Sequence, residues 1–250
     1  MIQVAFFDYT DSPYVIRNDF GLRHREYWEH LASPGSWWTG EQRIAIAQES
    51  RNARNCDFCR ERKQALSPYT MKGTHDQAGT LSEVAVDAVH RVVTDQDRIT
   101  QSYVDDLAQN GVSDAAYVEL VGVIVAVLSI DEFHRALGLP LEDLPNAIPG
   151  EPDRYRPTQA VKDIGFVPTL PRDGATGNEA DLWSNGGTAN VLRALTLVPD
   201  ALRHWRALAR VQYLSLEGMA NFGKAADRSI NRMQMELVAG RVSAINQCFY

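Results

Sequence analysis

Through most of the chain the apolar residues return every three or four positions, the spacing of a helix face, and no strand-like alternation appears after Tyr9. Met1 to Tyr9 is apolar but too short to classify. Ser12-Pro13 reads as a helix cap, Gly21 interrupts the pattern, and a helix rich in ionisable residues resumes through Leu31. His24 and His30 lie there among Arg23, Arg25, Glu26 and Glu29 and are expected to be solvated. Ser33-Pro34-Gly35-Ser36 is a turn, and Trp37-Trp38 is expected to pack the base of the next helix. Thr39 and Gln42 form a capping box. It opens a helix that breaks at Asn55, and a second helix runs on through Leu66.

Beyond a loop, SPYTMKGTHDQAG, Thr80 and Glu83 suggest another capping box for a helix through Thr94. Leu81, Val84, Ala85, Ala88, Val89 and Val92 form its stripe, and His90 beside them reads as a packed core histidine. A helix from Arg98 to Gln109 stops at Asn110-Gly111. Ser113 then caps the most apolar segment, Ala115 to Leu137, which should be central to a domain or a subunit interface. From Leu139 to Gly187 the period is lost among prolines, glycines and aspartates, the signature of a linker or an ordered crossover. Asn185-Gly186-Gly187 lacks the context of a phosphate loop and reads as a turn. Helices resume at Thr188 to Ala194 and Asp200 to Glu217, with His204 beside Arg203 and Arg206 read as exposed. A last helix capped by Asp227 or Ser229 runs to Asn246, with Ile230, Met233, Leu237 and Ile245 on one side. The fold class expected is all-α.

Composition narrows the function classes. The 250 residues can form one large domain or two smaller ones, and 44% hydrophobic with 23% charged residues is ordinary for a globular chain. A net charge of −7 argues against nucleic acid or an anionic membrane as partner. The longest apolar run, Val118 to Ile130, contains Gly122 and Ser129 and is too short to cross a bilayer. No signal peptide is evident, and 3 cysteines do not make a secreted disulfide framework, so a reducing, cytoplasmic setting is expected.

In that setting the candidate chemistry is Cys56-Asp57-Phe58-Cys59, two thiols in the first turn of a helix, where the dipole and free amides favour thiolate. Glu49, seven residues earlier, is the one nearby carboxylate that can serve as base. His75, in the loop, is a candidate proton shuttle or metal ligand. A structural metal site on Cys56, Cys59 and His75 lacks a second C-x-x-C or a histidine pair at finger spacing, so neither metal nor cofactor is expected.

The last helix carries a resemblance. The run Arg232-x-Gln234-x-Glu236-Leu237-Val238-Ala239-x-Arg241-Val242-Ser243-Ala244-Ile245-Asn246-x-Cys248-Phe249-Tyr250 resembles the core of the alkylhydroperoxidase D-like, carboxymuconolactone decarboxylase superfamily. There a glutamate stands twelve residues before the first cysteine of a C-x-x-C, as Glu236 and Cys248 do. Asn55-Cys56-Asp57-Phe58-Cys59 resembles the same motif more loosely, with Ile44 at the glutamate position and Lys63 where a histidine is expected. The segment from Tyr117 to Pro140 resembles the family's long helix and its following turn.

The resemblance implies a helical bundle of two related units, 1–140 and 188–250, joined by a linker or crossover at 141–187. It implies a thiol-dependent peroxidase or disulfide oxidoreductase in antioxidant defence, with Cys59 as attacking and Cys56 as resolving thiol. Lys63 would lower a thiol pKa, and Glu236 with Cys248 would form a second site. The implied partners are a peroxide or other small-molecule substrate and a thiol electron donor, and the implied assembly is a homo-oligomer. The alternative implied is a non-redox, decarboxylase-like enzyme or binding module, or an inactive truncated member. The motif's second cysteine would fall at position 251. A continuation carrying cysteine, or a selenocysteine codon read as a stop, is one expectation; a mutated, cut or natural end is the other.

Overall fold

The computed structural model describes residues 6–183, 189–215, 218–219, 228–246 and 248. Among them the fold is all-α, and the nearest thing to a strand is one antiparallel bridge between Val161 and Thr169. The helices are α1 (Asn18–Ala32), α2 (Gly40–Asn52), α3 (Asp57–Gln64), α4 (Glu83–Thr94), α5 (Gln101–Gln109), α6 (Asp114–Ala136), α7 (Asn190–Arg193), α8 (Pro199–Gln212) and α9 (Arg232–Ile245). No single helix among the described residues is long and apolar enough to cross a membrane.

Caps place most of the boundaries. Thr39 and Gln42 form the expected capping box at α2, and Ser113 accepts from the Ala116 amide at α6. At α4 the cap is Ser82, which accepts from Ala85, rather than Thr80. At α5 it is Thr100, so that helix starts at Gln101 after a 3-10 turn at Gln96–Arg98. Asn231 caps α9 in a box with Gln234, displacing Ser229; Asp227 lies outside the described residues, as do Asn185-Gly186-Gly187. Ser12-Pro13 starts no helix. Gly21 does not interrupt α1 but sits inside it, at a place where a Cβ would lie 2.8 Å from the Phe7 carbonyl oxygen.

The chain divides into two units, Met1–Leu208 and Ala209–Tyr250, with the division inside α8. In the first unit α6 is the central rod. Leu120, Val123, Ile124, Val127 and Ile130 are buried along it, and α2, α4 and α5 pack against it while α1 packs on α2. Each such aliphatic side chain contributes on the order of 1.5–3 kcal/mol. Trp38 is buried with its Nε1–H donating to the Ala116 carbonyl at 2.8 Å.

As far as Trp183 the proline-rich stretch is an ordered crossover built onto the same unit. Trp28 Nε1 donates to the Asp143 carbonyl and Arg51 Nη1 to that of Glu142. The Ile148 and Arg154 amides donate to the Ala32 and Ser36 carbonyls, and Leu170 and Leu182 are fully buried. In the second unit, α9 leaves Met233, Leu237 and Ile245 exposed. Tyr213 Oη donates to Glu236, which also pairs with Arg232.

The histidines of α1 are not solvated. His24 is fully buried, and His30 stacks on His204 with ring centroids 3.5 Å apart. The charged neighbours that suggest exposure occupy the other faces of the helix. His134 Nδ1 faces the Pro140 carbonyl at 2.6 Å and must carry the proton there. Its Nε2 then accepts from Tyr9 Oη, and Tyr9 Oη accepts from His24 Nδ1, both at 2.8 Å.

Burial, aided by His134, pushes His24 down to about 3, and burial lowers His30 and His204 as well. A depressed histidine pKa means that the unfolded chain binds the extra proton first. Stability should therefore fall as pH drops below about 6.5 and keep falling toward the native pKa. For His24 alone the loss between pH 7 and 5 should be about 2 kcal/mol. Urea midpoints at the two pH values measure it, and an unchanged midpoint would contradict the neutral burial.

Candidate functional site

The 3-10 turn Ala53–Asn55 separates α2 from α3 and sets the next residue, Cys56, at the N-cap of α3. Three residues later Cys59 completes the first turn. Both cysteines are free and each is only 2% exposed. The last turns of α2 supply Glu49 and α4 supplies Asp87 and His90, whose i, i+3 spacing puts them on one face. The loop between α3 and α4 brings in His75.

These side chains converge. His90 Nδ1 lies 3.1 Å from Cys59 Sγ. His75 Nδ1 lies 3.4 Å from Cys59 Sγ and 3.6 Å from Cys56 Sγ. The ligating atoms of Cys56, Cys59, His75 and His90 all fall within 4.8 Å of one another. Each imidazole presents its other nitrogen to a carboxylate: His90 Nε2 to Glu49 at 2.7 Å and His75 Nε2 to Asp87 at 3.0 Å. A carboxylate only accepts, so Nε2 carries the proton on both rings and both Nδ1 lone pairs aim at the thiols.

Both carboxylates are themselves held. Glu49 is fully buried and also accepts from Asn52 Nδ2 and from the Ala78 amide, which ties down the loop that carries His75. Asp87 accepts from Arg62, Arg91 and Tyr103. Burial would raise the Asp87 carboxyl, but the His75 and Tyr103 hydrogen bonds and the arginine charges hold it well below the usual range. For His90, burial outweighs the Glu49 hydrogen bond and keeps the ring neutral.

The helix N-terminus does not make Cys59 a thiolate. Burial dominates and pushes its thiol up to about 12. The cation beside it is Arg62, buried, with Nη2 3.8 Å from Cys59 Sγ; Lys63 is exposed, one position further round α3. Arg62 stands three residues after Cys59, on the same face, a spacing visible in the sequence itself. His90 is buried, as the apolar stripe of α4 implies, but the polar partners that define its role lie 31 and 41 residues away in sequence. Glu236 and Cys248 belong to the second unit, where Cys248 is exposed. A cavity of about 700 Å³ opens beside the site, and two of its lining residues, His75 and Arg62, touch the thiols. Comparison with protein-family models, curated proteins and solved structures gave no match.

Proposed function

We propose that the first unit is a thiol oxidoreductase that reduces a peroxide with Cys59 and Cys56. The observation that carries this reading is the hydrogen-bonded series Cys59 Sγ, His90, Glu49: a nucleophile, a base within reach of it, and a third group orienting the base.

Because Cys59 rests as a thiol, His90 acts as general base rather than as partner of a preformed thiolate. Sγ attacks one oxygen of the O–O bond while its proton passes to His90 Nδ1. The bond breaks, the leaving oxygen takes that proton and departs as an alcohol or water, and Cys59 becomes a sulfenic acid. The Cys56 thiol then attacks the sulfenic sulfur, the S–S bond forms, and water leaves. One peroxide has been reduced and one dithiol oxidised; an external thiol donor restores the pair. Glu49 fixes the His90 tautomer and stabilises the transient imidazolium. A small peroxide would enter from the cavity that His75 and Arg62 line. The all-α scaffold and the C-x-x-C at a helix start agree with the alkylhydroperoxidase D-like reading, and two related units in a homo-oligomer belong to the same proposal.

The test uses reduced, metal-free protein and one equivalent of peroxide. The expected product has lost two hydrogens by mass and both accessible thiols of the pair on denaturation, and Cys59→Ser should consume peroxide no faster than buffer. If Cys56 and Cys59 both remain thiols after excess peroxide, the reading is wrong.

A further inference from the structure

We infer that Cys56, Cys59, His75 and His90 form a closed, four-coordinate site for a borderline-soft divalent cation, with zinc the best match. The donor set is two thiols and two imidazole nitrogens, which selects against calcium and magnesium with their all-oxygen shells. Zinc–sulfur bonds of about 2.3 Å and zinc–nitrogen bonds of about 2.0–2.1 Å put sulfur and nitrogen roughly 3.5 Å apart across a tetrahedron. Three of the six donor–donor distances are 3.1, 3.4 and 3.6 Å, close to that value, and all four donor atoms lie within 4.8 Å of one another.

Two further observations point the same way. Both rings carry the carboxylate partner that metal-bound histidines characteristically have, Glu49 for His90 and Asp87 for His75, so the lone pairs are fixed before any ion arrives. The peroxide mechanism makes no use of the His75–Asp87 pair. Two thiolates would also neutralise a divalent ion, so the buried centre carries no net charge. With four protein donors and buried thiols there is no open position for a substrate, which makes the centre structural. It would pin the first turn of α3, the His75 loop and α4 to one point. With the ion bound, both thiols are ligands, so the peroxide chemistry belongs to the metal-free form. The inference does not depend on that chemistry.

Full-length protein, reduced and stripped by a chelator, is titrated with Co²⁺ and then with Zn²⁺. One equivalent of Co²⁺ should give the visible absorption of a tetrahedral thiolate centre, bleached by one equivalent of Zn²⁺. His75→Ala should weaken binding by at least roughly 100-fold, and Asp87→Asn, which touches no donor directly but weakens the partner behind His75 along with its bonds to Arg62, Arg91 and Tyr103, by roughly 10- to 100-fold. Zinc should also raise the thermal midpoint of the unmodified protein, a readout that survives a variant that fails to fold. An octahedral cobalt spectrum, or unchanged affinity in folded His75→Ala, would overturn the inference. A cobalt centre without peroxide-driven disulfide removes the oxidoreductase proposal alone; a disulfide without a cobalt centre removes the metal site alone.

Discussion

Replacing His90 by asparagine will slow peroxide-driven closure of the Cys56–Cys59 disulfide by roughly 100- to 10,000-fold in metal-free protein, the range a positioned general base supplies. Burial keeps Cys59 protonated far above neutrality, so its reactivity depends on a proton acceptor in contact with the sulfur. His90 Nδ1 is in that position at 3.1 Å. Asparagine preserves some volume and a hydrogen bond but cannot take a proton. Glu49→Gln should have the smaller effect, because its amide oxygen keeps an acceptor for Nε2, although it loses the charge that steadies imidazolium and the acceptor for the Ala78 amide. Quenched-flow mass spectrometry at fixed peroxide reads both rates. Reaction of His90→Asn at the unmodified rate would show that no proton passes through the imidazole.

A second large effect lies away from the thiols. Arg43→Met should lower the unfolding free energy by about 3–5 kcal/mol. Arg43 is 1% and Glu119 is 5% exposed by side chain, with Nε and Oε1 3.5 Å apart. Arg43 Nη1 donates to the Ser33 carbonyl, and Glu119 Oε2 accepts from the Trp37 amide at 2.6 Å. The turn closes over the carboxylate so tightly that a Cβ on Gly35 would sit 1.7 Å from Oε1. Burial already raises the Glu119 carboxyl, and Arg43 is the main opposing influence. Without the guanidinium the buried carboxylate loses its main counter-charge. The double variant Arg43→Met, Glu119→Leu should therefore lose less than the single one. Urea unfolding of the three proteins measures the coupling, and a double variant weaker than Arg43→Met would refute this account of the pair.

Helix positions and dithiol placement are readable from the chain because both are local. A capping side chain and its amide are three residues apart, and a C-x-x-C after a break needs no distant information. The centre around the thiols is only half legible for the opposite reason. Glu49 before Cys56 and His75 in the loop after α3 are both near enough in sequence to be suspected, whereas His90 sits on an apolar stripe, where imidazoles are commonly packed and inert. What makes them chemical is the carboxylate behind each ring, and that pairing exists only after α2, α4 and the loop have met. The same limit hides the burial of His24 and His30. Charged neighbours one and two positions away describe the other faces of a helix, and the buried face of α1 is revealed by Phe7, Tyr9 and His134.

The crossover from Leu139 onward has a consequence for how the molecule is made. Its anchors to Trp28, Arg51 and Trp37 join residues 115, 91 and 117 positions apart. Contacts of that span are slow to find, and on a ribosome the partner segment emerges only after α1 to α6 have left the tunnel. The helices that carry Glu49, Cys56, Cys59 and His90 can therefore condense first, around α6. The crossover then closes over Trp28 and the turn after α1 as the late step of assembly.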